Sequence, residues 1–219
     1  MKQNFLSLLA ILCTLSVCAQ PDLKKYPEPE FSKEVYYLKK DSVNTAVRLE
    51  KKSSKIESKA KLGGFGGSES AYQIEGGKST TRLNAANTIS FIFSTGASAK
   101  KSNSQADSMM VANGMDPSMM QDMMGGINDP SSTIVLYKAE STNGNRKILL
   151  QKNPGAMPFG SKKQKTGDKY TFSVKKIREG YWELVIDKTL LKGEYAFTFS
   201  GMGMSNSDGS ITLFAFGVD

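Results

Sequence analysis

The sequence predicts an all-β protein, an antiparallel β-sandwich of one domain, and three observations carry that expectation. Apolar residues alternate with polar ones at period two through most of the chain, the signature of strands with one buried face. Turn residues separate these runs at short intervals: Asn143-Gly144, Glu179-Gly180, Lys192-Gly193 and Asp208-Gly209 each precede a strand-like segment. A half-buried sheet needs a second layer to cover it, so several short strands with such punctuation point to a sandwich.

In chain order, the first segment is a leader. Lys2 gives a short positive region, Phe5 to Val17 is apolar, and Val17-Cys18-Ala19 supplies small residues around a cleavage point, so residues 1–19 read as a secretory signal peptide with Gln20 as the mature start. The apolar run is too short to span a bilayer, which takes about 20 residues. Cys18 would carry a lipid anchor only in a lipobox, and Val17 stands where that motif wants Gly, Ala or Ser. Both cysteines, Cys13 and Cys18, fall inside the leader, so the exported domain is expected to hold no disulfide. Losing Lys2 leaves 28 basic residues against 21 acidic ones, a net charge of +7 that favours an acidic surface in general.

Residues 20–33, with Pro21, Pro27 and Pro29, read as an extended and poorly packed lead-in, and residues 34–219 as the β-sandwich domain. Val43, Thr45, Val47 and Leu49 alternate as one strand. Lys51 to Gly67 is basic and then glycine-rich, a surface strand or loop. Further strands follow at Ile89-Phe91-Phe93, Ile134-Leu136, Tyr170-Phe172-Val174, Trp182-Leu184-Ile186 and Tyr195-Phe197-Phe199. In the last strand Ile211, Leu213 and Ala215 face one way and Phe214 and Phe216 the other, which predicts cover on both sides. The expected core is Phe91, Phe93, Leu136, Phe172, Leu184, Phe197 and Leu213.

An insert over 96–129 interrupts the strands and is too long for a structureless loop in a compact domain. It holds the stretch Asp116 to Gly126, where Met119, Met120, Met123 and Met124 form one stripe if Asp116 caps a short helix. Three uses are open to that stripe: docking on apolar surface, contact with a partner or lipid, or thioether coordination of Cu(I). Docking demands least, because flexible thioethers fill an irregular groove without fixed coordination.

Catalytic chemistry has few candidates. The chain has no histidine, which excludes the common Ser/His/Asp and Cys/His constellations and histidine-ligated zinc. What remains is a Ser/Lys pair or a carboxylate pair drawn from Glu140, Glu183 and Glu194, with Glu183 expected to be solvated because it points away from Trp182. Gly76-Gly77-Lys78-Ser79-Thr80 resembles the end of a phosphate-binding loop, but the glycine required six positions before the lysine is Tyr72, so the stretch reads as a turn.

The residues Ile134 to Lys138 with Asn145-Arg146, then Gly193-Glu194-Tyr195-Ala196-Phe197 and the ending Phe216-Gly217-Val218-Asp219, form a pattern joined by Gly77-Lys78-Ser79 and Arg82. The pattern resembles a group of uncharacterised exported β-rich proteins of Gram-negative bacteria, over Tyr72 to Asp219 without the methionine insert. The resemblance implies the fold and export and brings no catalytic residues with it. The expected function is therefore a non-enzymatic exported binding or structural protein of the cell envelope, periplasmic or cell-surface associated. Its expected partner is an envelope protein or an acidic surface, with no nucleic acid, no cofactor and no transmembrane segment. A soft-metal protein binding Cu(I) through the insert is the alternative, and a carboxylate hydrolase the third reading.

Overall fold

The structure is a computed structural model, and it describes residues 26–60, 66–84, 88–96, 112, 129–155, 164–200 and 206–219. The leader and the methionine stretch Asp116 to Gly126, with Met119, Met120, Met123 and Met124, lie outside the described residues. Two antiparallel sheets pack face to face, the sandwich that the alternation predicts.

The first sheet has the order β12-β13-β7-β1-β2, built from β1 (Val35–Lys40), β2 (Asn44–Arg48), β7 (Ser90–Ser94), β12 (Phe172–Arg178) and β13 (Tyr181–Ile186). The main path of the second runs β3-β15-β14-β8-β9-β5-β4, from β3 (Glu50–Ser54), β4 (Ile56–Ala60), β5 (Gly67–Glu75), β8 (Ile134–Thr142), β9 (Asn145–Pro154), β14 (Gly193–Phe199) and β15 (Ile211–Val218). Short β6 (Arg82–Leu83), β10 (Lys165–Thr166) and β11 (Lys169–Tyr170) attach to β15, β9 and β8. One turn of helix, α1 (Pro130–Thr133), leads into β8, its N-cap Asp129 accepting from the Ser131 amide.

The second sheet curls on itself. Its path begins with β3 and ends with β4, and these two strands are consecutive in the chain with only Lys55 between them. The run 50–60 thus pairs with β15 through its first half and with β5 through its second, joining the two ends of the sheet into a ring. The Gln73 amide donates to Ser54 Oγ at 3.1 Å across this seam.

Each face of the ring has its own core. Phe197, Phe214, Phe216, Tyr195 and Leu136 face the first sheet and meet Phe91, Phe93, Trp182 and Leu184 there. Phe91 stands edge-on to Phe197 at 4.7 Å between ring centroids, an arrangement that adds to the area buried. The other face is enclosed by the ring and filled by Ile74, Tyr137, Ala139, Ile148, Ala196, Leu213 and Ala215. Small residues on three neighbouring strands suit the crowded inside of a narrow ring. The double cover expected of the last strand is therefore present: Leu213 and Ala215 lie in one core and Phe214 and Phe216 in the other.

Four expectations need correction. Phe172 is only partly buried, because β12 is an edge strand and its ring packs on the margin of the core. Val43 is 72% exposed, since it sits in the turn before β2 and the buried face begins lower down. The described part of the lead-in, from Tyr26, is packed rather than loose. Tyr26 stands edge-on to Tyr181, the Tyr181 hydroxyl donates to the Pro27 carbonyl at 2.5 Å, and the Phe31 amide donates to the Tyr36 hydroxyl. This strap covers the outer face of the first sheet, and Glu183, on that face, is consequently 3% exposed instead of solvated.

Candidate functional site

Two places gather chemistry, a buried charge cluster at one end of the ring and an open groove on its side. The cluster arises from an arginine at an inward position: Arg146 alternates with Ile148 on β9 and is 1% exposed. A guanidinium so placed needs its donors filled. Nε donates to the Gly76 carbonyl at 2.8 Å, Nη2 to the Glu75 carbonyl at 3.2 Å, and Nη1 and Nη2 form a fork to Glu50 at 2.9 and 3.1 Å. Nη1 also lies 3.8 Å from Glu194.

Glu194 extends the network. Its carboxylate accepts from the Ser79 amide at 2.9 Å and from Arg82 Nη1, while Arg82 also holds Asp219 through Nη2 and Nε. The Thr80 amide donates to Glu50 at 3.3 Å. Two amides of the Gly76 to Thr80 turn thus point at carboxylates of the protein itself. A phosphate-binding loop offers such amides to a ligand, whereas here the protein's own acids take them, in line with the turn that Tyr72 argued for. Burial works against ionisation of Glu50, but the hydrogen bonds from Arg146 and Ser79 outweigh it and hold its carboxyl below the usual range.

The residues that carried the sequence pattern therefore meet in space. Gly77, Ser79, Arg82, Arg146, Glu194, Gly217 and Asp219 come from four separate stretches and together attach the 76–82 turn to the end of the ring. Gly217 has a steric reason, since a Cβ there would fall 1.6 Å from Arg82 Nη1. Glu50 joins the network and was not singled out in the sequence. Its signal was faint: an acid on a strand followed by two lysines reads as surface.

The three candidate carboxylates are not brought together. Glu194 lies on the enclosed face of the ring, opposite Ala139 and Gly217 in register. Glu140 is exposed on β8. Glu183 sits under the strap on the far side of the first sheet, where Lys40 Nζ lies 2.6 Å away and the Tyr26 hydroxyl donates at 2.7 Å. Burial raises the Glu183 pKa, and the Lys40 and Tyr26 contacts reverse this to a net lowering. Tyr26 itself is pushed up to about 12, by burial first and by its bond to Glu183 second. An aromatic core lies between Glu183 and Glu194, and Glu140 follows Ala139 on β8 and points to the opposite face of that strand from Ala139 and Glu194.

The groove lies along β3, β4, β5 and β9 and has a volume of about 660 Å3. Lys52, Lys55, Lys59 and Lys147 line it together with Glu57, Glu69 and Glu75, and Gln73, Asn143 and Asn145 add neutral donors and acceptors. Its charges are mostly exposed: Lys55 and Lys59 show 62% and 72% of their side chains to solvent. Glu69 is the more fixed element, tied to Lys147 and 3.7 Å from Lys152. The sequence marks none of these residues as a site, because β5 (GSESAYQIE) carries almost no apolar alternation to show it as a strand. Among the described residues no group of His, Cys, Asp and Glu is arranged to hold a metal ion, and no helix is long and apolar enough to cross a membrane.

No family model, curated protein or solved structure matches the chain.

Proposed function

We propose that the chain is an exported, non-catalytic binding protein of the cell envelope, with its ligand lying in the groove on β3, β4, β5 and β9. The observation that carries the proposal is the character of that groove: an open concavity lined by lysines, glutamates and amide side chains. Such a lining replaces the water of a polar, extended ligand by hydrogen bonds and local ion pairs. An apolar ligand would leave these groups unsatisfied. The scattering of Glu140, Glu183 and Glu194 over three surfaces favours binding over hydrolysis. Export rests on the leader of residues 1–19, with its apolar run and small residues before Gln20.

The test compares capture from envelope extract by three immobilised forms: the wild type, a Lys52→Glu/Lys55→Glu variant, and a variant lacking residues 96–129. The expected result is a species retained by the wild type and the deletion and lost by the groove variant. Capture that survives the lysine reversals would overturn the groove as the site. Release of reducing sugar from envelope polysaccharide by the pure protein would overturn the non-catalytic reading.

A further inference from the structure

We infer that β4 is a homodimer edge, through which two copies of this chain pair their Ile56–Ala60 strands antiparallel about Ser58 and join their grooves. The inference stands on the edge itself and does not need the groove to hold a ligand.

The first observation is an unused edge. β4 pairs with β5 on one side and ends the strand order of the second sheet. On its other side the run 50–60 is covered only up to Ser54, which stands opposite Ile211 at the start of β15. Around that point the 206–210 turn closes off the edge: Asn206 and Ser210 bond Ser53, and Asp208 lies 3.4 Å from Lys55. From Ile56 to Ala60 the edge has no described partner strand, and all five residues are exposed. Ile56 is 57% exposed, one of four large apolar side chains so exposed among the described residues. Unpaired strand edges are templates for another strand.

The second observation is self-complementarity. The covered stretch up to Lys55 limits the register on one side, and the described open edge, Ile56–Ala60, is centred on Ser58. A two-fold axis through Ser58 then sets Ser58 against its own copy, Glu57 against Lys59 of the other chain, Lys59 against Glu57, and Ile56 against Ala60. Both charge pairs are attractive, and the exposed isoleucine meets an apolar partner. Isologous pairing requires a patch that complements itself, and this strand does. Charged edge residues usually deter pairing. A register centred on Glu57 would do so here, by placing lysine against lysine. The centring of the open edge on Ser58 gives the attractive register instead.

The pairing also alters the site. Glu57 and Lys59 line the groove, so each copy contributes a charged pair to the wall of the other, and two short grooves become one longer one. Within a single chain Lys59 Nζ is 3.6 Å from Glu57 with both side chains well exposed, a loose pair that exchanges readily for one across the axis.

Charge reversal tests this. Glu57→Lys alone sets lysine against lysine at both contacts, and Lys59→Glu alone sets glutamate against glutamate. Mixed in equal amounts, the two variants restore opposite charges at both contacts. Light-scattering mass measured across concentration should show a dimer for the wild type. Each variant should dissociate at least about tenfold more readily, and the mixture should recover the wild-type mass. Both sites are exposed, so far-UV circular dichroism and melting should match the wild type and exclude misfolding. A wild type that stays monomeric up to about 1 mM, the weak end of specific association, would overturn the inference. So would single variants that dimerise as the wild type does, or a mixture that fails to recover.

Discussion

Replacing Arg146 by methionine removes the charge and the donors at the centre of the buried cluster while keeping an unbranched stem of similar length. Four directed hydrogen bonds disappear, two to Glu50 and two to the carbonyls of Gly76 and Glu75. Glu50, with a side chain only 10% exposed, is left as an ion without its main partner. Removing one member of a buried ion pair costs about 3–5 kcal/mol, chiefly through the uncompensated charge that remains. That would be a large part of the roughly 5–15 kcal/mol that holds a domain together. Glu50→Gln alone should cost less, since a neutral amide can still accept from Arg146. In the Arg146→Met/Glu50→Gln double variant the orphaned charge is gone, so its loss should fall short of the sum of the singles by at least about 1 kcal/mol. Urea unfolding followed by the fluorescence of Trp182, the single tryptophan and 4% exposed, measures all three variants. An Arg146→Met loss under about 1 kcal/mol, or strict additivity in the double variant, would refute the view that the fork to Glu50 anchors the 76–82 turn.

Phe91→Ala should cost about 3–5 kcal/mol, because the ring is fully buried between Tyr37, Phe197 and Phe216. Phe172→Ala, at the margin of the same core, should cost about 1–2 kcal/mol by the same urea measurement. Gly217→Ala should cost about 1.5–3 kcal/mol by driving Arg82 off Glu194, and should add under about 0.5 kcal/mol in an Arg82→Ala background where nothing is left to displace. Glu34 is buried, which works against its ionisation, but its bonds from Arg48 and Lys51 outweigh burial. Glu34, Glu50 and Glu183 thus all ionise more readily folded than at their ordinary value of 4.5, and their contribution is full above about pH 4.5 and is lost as pH falls through their lowered values. A melting temperature that holds steady down to pH 5 and then declines is the expected profile. A Cu(I) titration against a competing chelator examines the methionine insert, where unchanged weak binding after Met119, Met120, Met123 and Met124 are all replaced by leucine supports docking.

The sandwich was legible because its central strands obey the alternation rule on their own. Phe91, Phe93, Leu184 and Phe197 announce a buried face, and Asn143-Gly144 announces a hairpin whose φ angles of 52° and 80° require that pair. The closed ring was not legible. Its seam depends on β4 and β5, whose outward residues are Lys, Glu, Gln and Ala and whose inward ones include several Ser beside Tyr and Ile, so no period stands out. The burial of Glu183 was misjudged for a related reason. Alternation correctly put it on the face away from Trp182, but what covers that face is the 26–31 strap, a long-range contact that a local pattern cannot contain. Arg146 did carry a local sign, since an arginine in step with Ile148 on an alternating strand is either paired or misplaced. Its partner could not be read, because Glu50 is 96 positions away.

The placing of charge follows from the ring. A sheet closed around small side chains such as Ala139, Ala196 and Ala215 leaves its enclosed face packed by the protein's own residues. The end of that face still needs a plug, and the chain supplies one in the 76–82 turn, fastened by Arg146, Glu50, Glu194 and Arg82. Arg146, Glu50, Glu194 and Arg82 are all bound within the fold, so exchanging their partners for a ligand's charge would expose buried groups at a cost on the order of several kcal/mol. The groove charges carry no such penalty. Lys55 and Lys59 are mostly solvated, and their pairs at 3.4 and 3.6 Å are worth little in water, so a ligand or a second copy can replace them nearly free of loss. The same residue types therefore divide by burial into those that hold the ring shut and the weakly paired lysines along β3 and β4 that the proposed binding draws on.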